Sequence, residues 1–249
     1  MIKLFVSDID GCISEPFVPF DLETLGEIRA LAATGSMTGV PLAPPEFTLC
    51  TGRPLGYAEA VGQALGVRLP ILFEAGAGMY NMTTGVRTWH PSFGPSEASA
   101  RREIQDWLET LVPGTSMAVD RGKYTQAGLI GADAAEIAAA LETVSEFVGT
   151  SFPDFRVAYT EISVDVMHKD LTKREGLAWL AQELGLELDE LAFIGDTNGD
   201  LGGLRAVGSS FAPANGSAEV RQTVGTVTTG AVCAGVLEAY RICVDRNNS

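Results

Sequence analysis

The chain has 249 residues, 46% of them hydrophobic and 20% charged, the balance of a globular protein with room for one large domain or two smaller ones. Seventeen Lys and Arg against 32 Asp and Glu leave a net charge of -15, which argues against nucleic acid or an anionic membrane as a partner. No run approaches the roughly 18 apolar residues of a membrane span, and Asp8 and Asp10 interrupt the first apolar run too early for a signal peptide, so the cytoplasm is the expected location.

Ile2, Leu4, Phe5 and Val6 read as a short buried strand. It delivers Asp8-Ile9-Asp10-Gly11, two carboxylates one residue apart and then a glycine. A helix follows from Asp21, a good N-cap, with Leu22, Leu25, Ile28 and Ala32 as its buried stripe. Residues 35–45 read as a loop. Phe47, Thr48, Leu49 and Cys50 form a second strand ending at Thr51-Gly52-Arg53. Pro54 suits the first turn of the next helix, with Tyr57, Val61 and Leu65 on one face and Gly66 as its stop. A third strand covers 70–73 and leads into Glu74-Ala75-Gly76. This β-α-β-α-β order predicts a parallel sheet with right-handed crossovers.

The pattern then changes. Residues 79–80 and 86–89 read as a hairpin around Thr83-Thr84-Gly85. A helix beyond Pro95 carries Ile104, Trp107, Leu108 and Leu111. Two strands follow, at 116–119 and 124–130, joined by Asp120-Arg121-Gly122. Asp133 caps a further helix with Ile137, Ala140, Leu141, Val144 and Val148 on one face. Strands at 155–159 and around Ile162, Val164 and Val166 complete an αββαββ piece, an antiparallel sheet with helices on one face. From Thr172 the parallel pattern resumes, with a helix stopped by Gly185, a strand at 191–194, and Gly195-Asp196-Thr197-Asn198-Gly199-Asp200. Short strands at 209–212 and 224–227 and a helix at 231–244 close the chain, with 246–249 frayed. The expected fold is α/β, a Rossmann-like parallel-sheet core formed by 1–82 and 168–249 with an inserted α+β cap at 83–167.

Four polar clusters therefore fall at strand ends or helix starts on one sheet edge, where open α/β sheets bind ligands. They are Asp8/Asp10, Thr51, Lys173 and Asp196/Asp200. Crowded carboxylates repel unless a cation lies between them, and a small set of oxygen ligands suits Mg²⁺. Cys12, Cys50, Cys233 and Cys243 form no CxxC pair and read as free thiols. With His90 and His168 the only histidines, a His-rich zinc site is not expected.

In this order and spacing the four clusters resemble the motifs of the haloacid-dehalogenase superfamily of phosphohydrolases. The αββαββ insert between the second and third motifs resembles the type IIB cap, and the whole is most similar to archaeal-type phosphoglycolate phosphatases, with sucrose-phosphate and mannosylphosphoglycerate phosphatases more distant. The resemblance implies a Mg²⁺-dependent hydrolase of a small phosphate ester. Asp8 would be the nucleophile and Asp10 the acid/base, protonated part of the time by carboxylate crowding. The ion would be held by Asp8, the Asp10 carbonyl and Asp196, with Asp200 in direct or supporting contact. Thr51, Gly52, Lys173 and Asn198 would bind the phosphoryl group. Specificity would lie on the cap, which closes as a lid, with Arg121, Lys123 and Tyr124 as candidates and His90 and Trp89 as weaker ones. Gly216, Ser217 and Glu219 read as helix capping. The chain departs from the usual pattern in Cys12 for Thr, Ala75-Gly76 for Asn-Gly, and Gly199-Asp200 for Asn-Asp. A hexose phosphomutase of the same fold and a binding protein without turnover are the alternatives.

Overall fold

The computed structural model describes residues 1–35, 44–160 and 162–248; most of the expected 35–45 loop lies outside them. The chain forms two compact units, Met1–Trp89 with Thr172–Ser249, and His90–Leu171.

The first unit is built on β1 (Leu4–Ser7), whose four residues are all buried. A strand with both faces covered belongs in the middle of a parallel sheet. β1 pairs in parallel with β2 (Glu46–Leu49) on one side and with β10 (Leu191–Ile194) on the other. Beyond β10 lie β11 (Ser209–Ala212) and β12 (Thr226–Val227), giving the order β12-β11-β10-β1-β2. Alternate residues of β1 serve opposite layers, as the two-residue period of a strand requires. Phe5 packs on Phe47, Phe211 and Tyr240. That layer is completed by α1 (Leu22–Gly35), α2 (Leu55–Leu65) and α8 (Val232–Asn247). Leu4 and Val6 share the other layer with Leu177 and Leu180 of α5 (Lys173–Leu184) and with Leu201 and Leu204 of the short helix α6 (Leu201–Leu204). The chain runs outward from β1 in one direction to β2 and in the other through β10, so the strand order reverses between β1 and β10. The crevice beyond their carboxyl ends is where such sheets bind ligands.

Several expectations change. Leu22 is 75% exposed and is not part of the α1 stripe, which Leu25 and Ile28 carry. Pro54 is the N-cap of α2, not its first helical residue. β3 (Pro70–Phe73) touches the parallel sheet through one bridge, Cys50 with Leu72. Its ladder is antiparallel, with β4 (Gly78–Asn81), which in turn pairs with β5 (Arg87–Trp89). That pairing places 83–89 in the first unit, so the units divide at 89/90 and 171/172 where 82/83 and 167/168 were expected. The end of the chain is not frayed through 248: α8 runs to Asn247, whose side-chain amide clamps Ile2, accepting from its N–H at 2.9 Å and donating to its carbonyl at 2.6 Å.

The second unit has the antiparallel sheet order β6-β7-β9-β8, from β6 (Ala118–Val119), β7 (Ala127–Ile130), β8 (Phe155–Thr160) and β9 (Ser163–His168). α3 (Pro95–Glu109) and α4 (Ala134–Ser151) bring Ile104, Leu108, Ile137 and Val144 onto Leu129, Val164 and Val166. Asp133 caps α4 through Oδ1, which accepts from Ala135 N at 2.8 Å. Among the described residues no helix is long and apolar enough to cross a membrane.

Candidate active site

Asp8 follows β1 directly, and its N–H continues the ladder by donating to Ile194 O at 3.0 Å. The next residue of β10's extension is Gly195, then Asp196. The switch-point geometry therefore sets the first and fourth motifs side by side. Carboxylate oxygens of Asp8, Asp196 and Asp200 lie within 4.8 Å of one another. Two glycines permit this approach. A Cβ on Gly11, whose φ is +72°, would stand 1.9 Å from Asp196 Oδ2, and a Cβ on Gly195 would stand 2.4 Å from Asp200 Cγ.

Lys173, at the first turn of α5, reaches into this group and is itself buried. Its Nζ is 2.7 Å from Asp8 Oδ2 and 2.5 Å from Asp200 Oδ1. Burial works against the ammonium, but Asp200 and Asp8 outweigh it and hold its pKa well above the ordinary lysine value. Asp200 is fully buried and already committed: Oδ2 accepts from the N–H groups of Asp196 (3.1 Å) and Thr197 (2.9 Å) and from the Thr197 hydroxyl (3.1 Å). It thus shapes the loop that presents Asp196.

One ammonium faces three carboxylates. Burial raises the Asp8 carboxyl to about 8, over the opposing effect of Lys173. Burial, then Asp200, raises Asp196 to about 7. Asp196 Oδ1 is buried with no hydrogen-bond partner among the described residues, a state that buried polar atoms rarely keep. An all-oxygen set of uncompensated carboxylates with an orphaned oxygen fits a hard divalent cation, held by Asp8 and Asp196 with Asp200 in support.

The Asp10 side chain has a partner that the sequence did not reveal: Arg53 grips it with both ends, Nε to Oδ2 and Nη2 to Oδ1, each at 2.7 Å. The hydrogen bond to Asp10 in turn raises the Arg53 pKa, and the guanidinium also stands 4.8 Å over the Tyr57 ring. Arg53 was legible only as the last letter of the second motif; its partner, 43 positions away, was not. Thr51 is fully buried, and its hydroxyl accepts from Arg53 N at 3.1 Å. Gly52 beside it leaves open space. Asn198 does not join the acids: its amide donates to Glu219 at 3.0 Å and accepts from Ser217 Oγ at 3.1 Å. Cys12 is buried, and burial followed by Asp8 pushes its thiol well above the ordinary range, so it stays protonated. Its N–H keeps the turn by donating to Ile9 O at 3.1 Å.

In the second unit the cations expected to read substrate are each balanced. Arg121 pairs with Glu109 at 2.8 Å on the surface. Lys123 pairs with Asp165 at 2.7 Å, with Asp120 at 4.0 Å. Tyr124 is half exposed and meets Phe93 edge to face. Arg101, which the sequence did not single out, shapes this loop by donating to the carbonyls of Lys123 (2.8 Å) and Gln126 (2.9 Å).

The chain matches the family model of haloacid dehalogenase-like hydrolases over residues 97–239. The first two motifs lie outside that span. The phosphoglycolate phosphatase of Methanothermobacter thermautotrophicus is 25% identical over 242 residues, 96% of this chain and 98% of the relative. A solved structure from Thermoplasma acidophilum superposes with a TM-score of 0.79 at 19% identity, over 98% of each chain. A haloacid dehalogenase-like hydrolase from Bacteroides thetaiotaomicron gives 0.73 at 16% identity, over 97% of this chain and 99% of that one. The parallel core, the antiparallel αββαββ unit and these matches together place the chain in the haloacid dehalogenase-like hydrolase family, as a phosphatase with a cap of the type IIB kind.

Proposed function

We propose that the protein is a Mg²⁺-dependent phosphomonoesterase that hydrolyses phosphoglycolate, or a phosphate ester of similar size, through an aspartyl-phosphate. The observation that carries this reading is Lys173 set between Asp8 and Asp200, with the orphaned Asp196 oxygen beside them. The named activity of the Methanothermobacter relative, matched over nearly its whole length, supports the choice of substrate.

Asp8 attacks phosphorus through a carboxylate oxygen, and the ester P–O bond breaks. Asp10 gives its proton to the departing alkoxide, then takes one from the water that splits the acyl phosphate. Arg53, which grips both Asp10 oxygens, fixes the direction in which that side chain points. Lys173 holds Asp8 in place and meets phosphoryl charge. Thr51 donates its hydroxyl to a phosphoryl oxygen. When bound, Mg²⁺ neutralises carboxylate and phosphoryl charge together. These local cations offset the repulsion that a chain of net charge -15 exerts on a phosphate dianion.

Release of inorganic phosphate from phosphoglycolate, phosphoglycerate and hexose phosphates, with Mg²⁺ and with chelator, tests the reading. The expected result is turnover that chelator abolishes, with kcat/KM highest for phosphoglycolate. Hexose-phosphate isomerisation without phosphate release would instead identify a phosphomutase, and no reaction with any ester would overturn the proposal.

The raised carboxylates also fix a pH dependence. Asp8 and Asp196 titrate near 8 and 7 in the fold, against an ordinary 3.8, so between pH 4 and 8 the native state binds more protons than the unfolded one. Metal-free stability therefore falls as pH rises through that window. Mg²⁺ competes with those protons. The increase in Tm produced by saturating Mg²⁺ is expected to be larger at pH 8 than at pH 6, measured by thermal unfolding. An equal or smaller increment at pH 8 would contradict the assignment of Asp8 and Asp196 as ligands.

A further inference from the structure

We propose that Asn215 is a positioning residue for the acidic centre: its side-chain amide fixes the turn that carries Asp8 and Asp10, and so sets how tightly the cluster holds a divalent cation. The inference rests on reading that cluster as a cation site. Asn215 lies in the loop after β11, 204 positions from the turn it contacts, and both ends of its carboxamide are engaged. Nδ2 donates to Gly11 O at 2.9 Å. Oδ1 accepts from Val232 N at 2.7 Å, where α8 begins. Val232 has φ +48°, a conformation that a β-branched residue adopts only when its surroundings impose it. The amide thus has a firm anchor at one end and a catalytic turn at the other.

The same loop also ties down the second acidic strand end. Ser217 N donates to Asp196 O at 2.8 Å, and Ser217 Oγ donates to Asn198 at 3.1 Å. The loop is itself braced, with Ala214 N donating to Gly230 O and Gly216 N to Pro213 O, both at 2.9 Å. Residues 215 and 217 therefore clasp two turns that issue from β1 and β10 and bear carboxylates that repel one another. The two turns approach closely at Gly11, where a Cβ would run into the Asp196 carboxylate. A shift of the Gly11 carbonyl consequently changes the spacing of Asp8 and Asp196. Partners that orient metal ligands from behind commonly alter affinity by 10- to 100-fold.

Two substitutions separate positioning from simple support of α8. Asn215→Ala removes both contacts. Asn215→Asp keeps an oxygen for Val232 N–H, but loses the donor and sets a carboxylate beside the Gly11 carbonyl. By isothermal titration calorimetry, both variants are expected to bind Mg²⁺ about tenfold more weakly than wild type. By hydrogen exchange of the metal-free proteins, the amides of residues 9–14 are expected to open faster in both. Wild-type affinity in Asn215→Asp would overturn the proposal, because it would place the role of the side chain at α8. Should Asn215→Ala not fold, Asn215→Asp, which retains the α8 contact, carries the comparison. Absence of Mg²⁺ binding by the wild-type protein would instead defeat the cation reading; the exchange measurement then decides, and unchanged protection of residues 9–14 in Asn215→Asp refutes the positioning role.

Discussion

Asp8→Asn is expected to lower phosphate release by a factor of roughly a thousand or more while leaving the fold intact. The substitution conserves shape and removes only the ionisable oxygen that would attack phosphorus. The effect on stability should be small, because two effects oppose. The wild-type carboxyl is raised to about 8 by burial, so its ionisation opposes folding in the metal-free chain. The carboxylate takes Ile9 N–H on Oδ1 and Lys173 on Oδ2, each at 2.7 Å; an amide has one oxygen and keeps only one of these contacts, but it carries no buried charge. Lys173 also keeps Asp200 as its partner. Metal-free Tm at pH 8 is therefore expected to stay close to that of wild type, and Mg²⁺ should add less to it, since Asp8 would be one of its ligands. Acid quenching after incubation with a labelled phosphate ester should trap label on the wild-type chain and none on the variant. Turnover within tenfold of wild type, or label retained by the variant, would remove Asp8 from its assigned role.

The contrast between Asp8 and Asp10 shows which parts of this site could be read from the sequence. Asp8, Thr51, Lys173 and Asp196 each follow a strand or open a helix, and such positions are fixed by local signals: an apolar run, a cap, a glycine. Once the strand order is inferred, the edge they share follows. The short distances among Asp8, Lys173, Asp196 and Asp200 are the consequence of β1 lying next to β10. Side-chain pairings across that edge leave no local trace. Arg53 on Asp10, Asn215 on Gly11 and Asn247 on Ile2 join residues 43, 204 and 245 positions apart, and no periodicity reports them. The same limit applies to Lys123, which reads as a free cation until β7 and β9 pair and bring Asp165 against it. β3 was read only in part for a related reason: its bridge to the sheet, Cys50 with Leu72, is parallel as expected, but its short apolar sequence does not report the antiparallel ladder that the tight turn into β4 adds.

Lys173→Met should cost the most stability of any substitution at this site, and the cost should depend on pH. The side chain is 7% exposed and lies between two carboxylates. Met replaces most of its volume and none of its charge. Removing one member of a buried ion pair typically destabilises by about 3–5 kcal/mol, because the remaining charge has no partner or must take up a proton; here Asp8 and Asp200 both lose their partner. At pH 8 without Mg²⁺, a loss of about that size is expected in denaturant unfolding. The sign of the pH effect follows from proton binding. Without the ammonium, the Asp8 carboxyl is raised further, the native state holds protons to higher pH, and stability falls more steeply as pH rises. At pH 5 the Asp8 carboxyl is neutral with or without the ammonium, so the difference from wild type should shrink. Saturating Mg²⁺ should recover part of the loss at pH 8 without restoring turnover, since no cation then stands at the end of α5. Lys173→Arg separates charge from shape. It keeps the charge, so stability at pH 8 should lie between wild type and Met, but a planar fork does not occupy the position of a point ammonium, and activity should remain low. A Lys173→Met deficit of equal size at pH 5 and pH 8 would mean that the lysine acts through packing of its stem, and that the charge balance argued for Asp8, Asp196 and Asp200 does not govern this site.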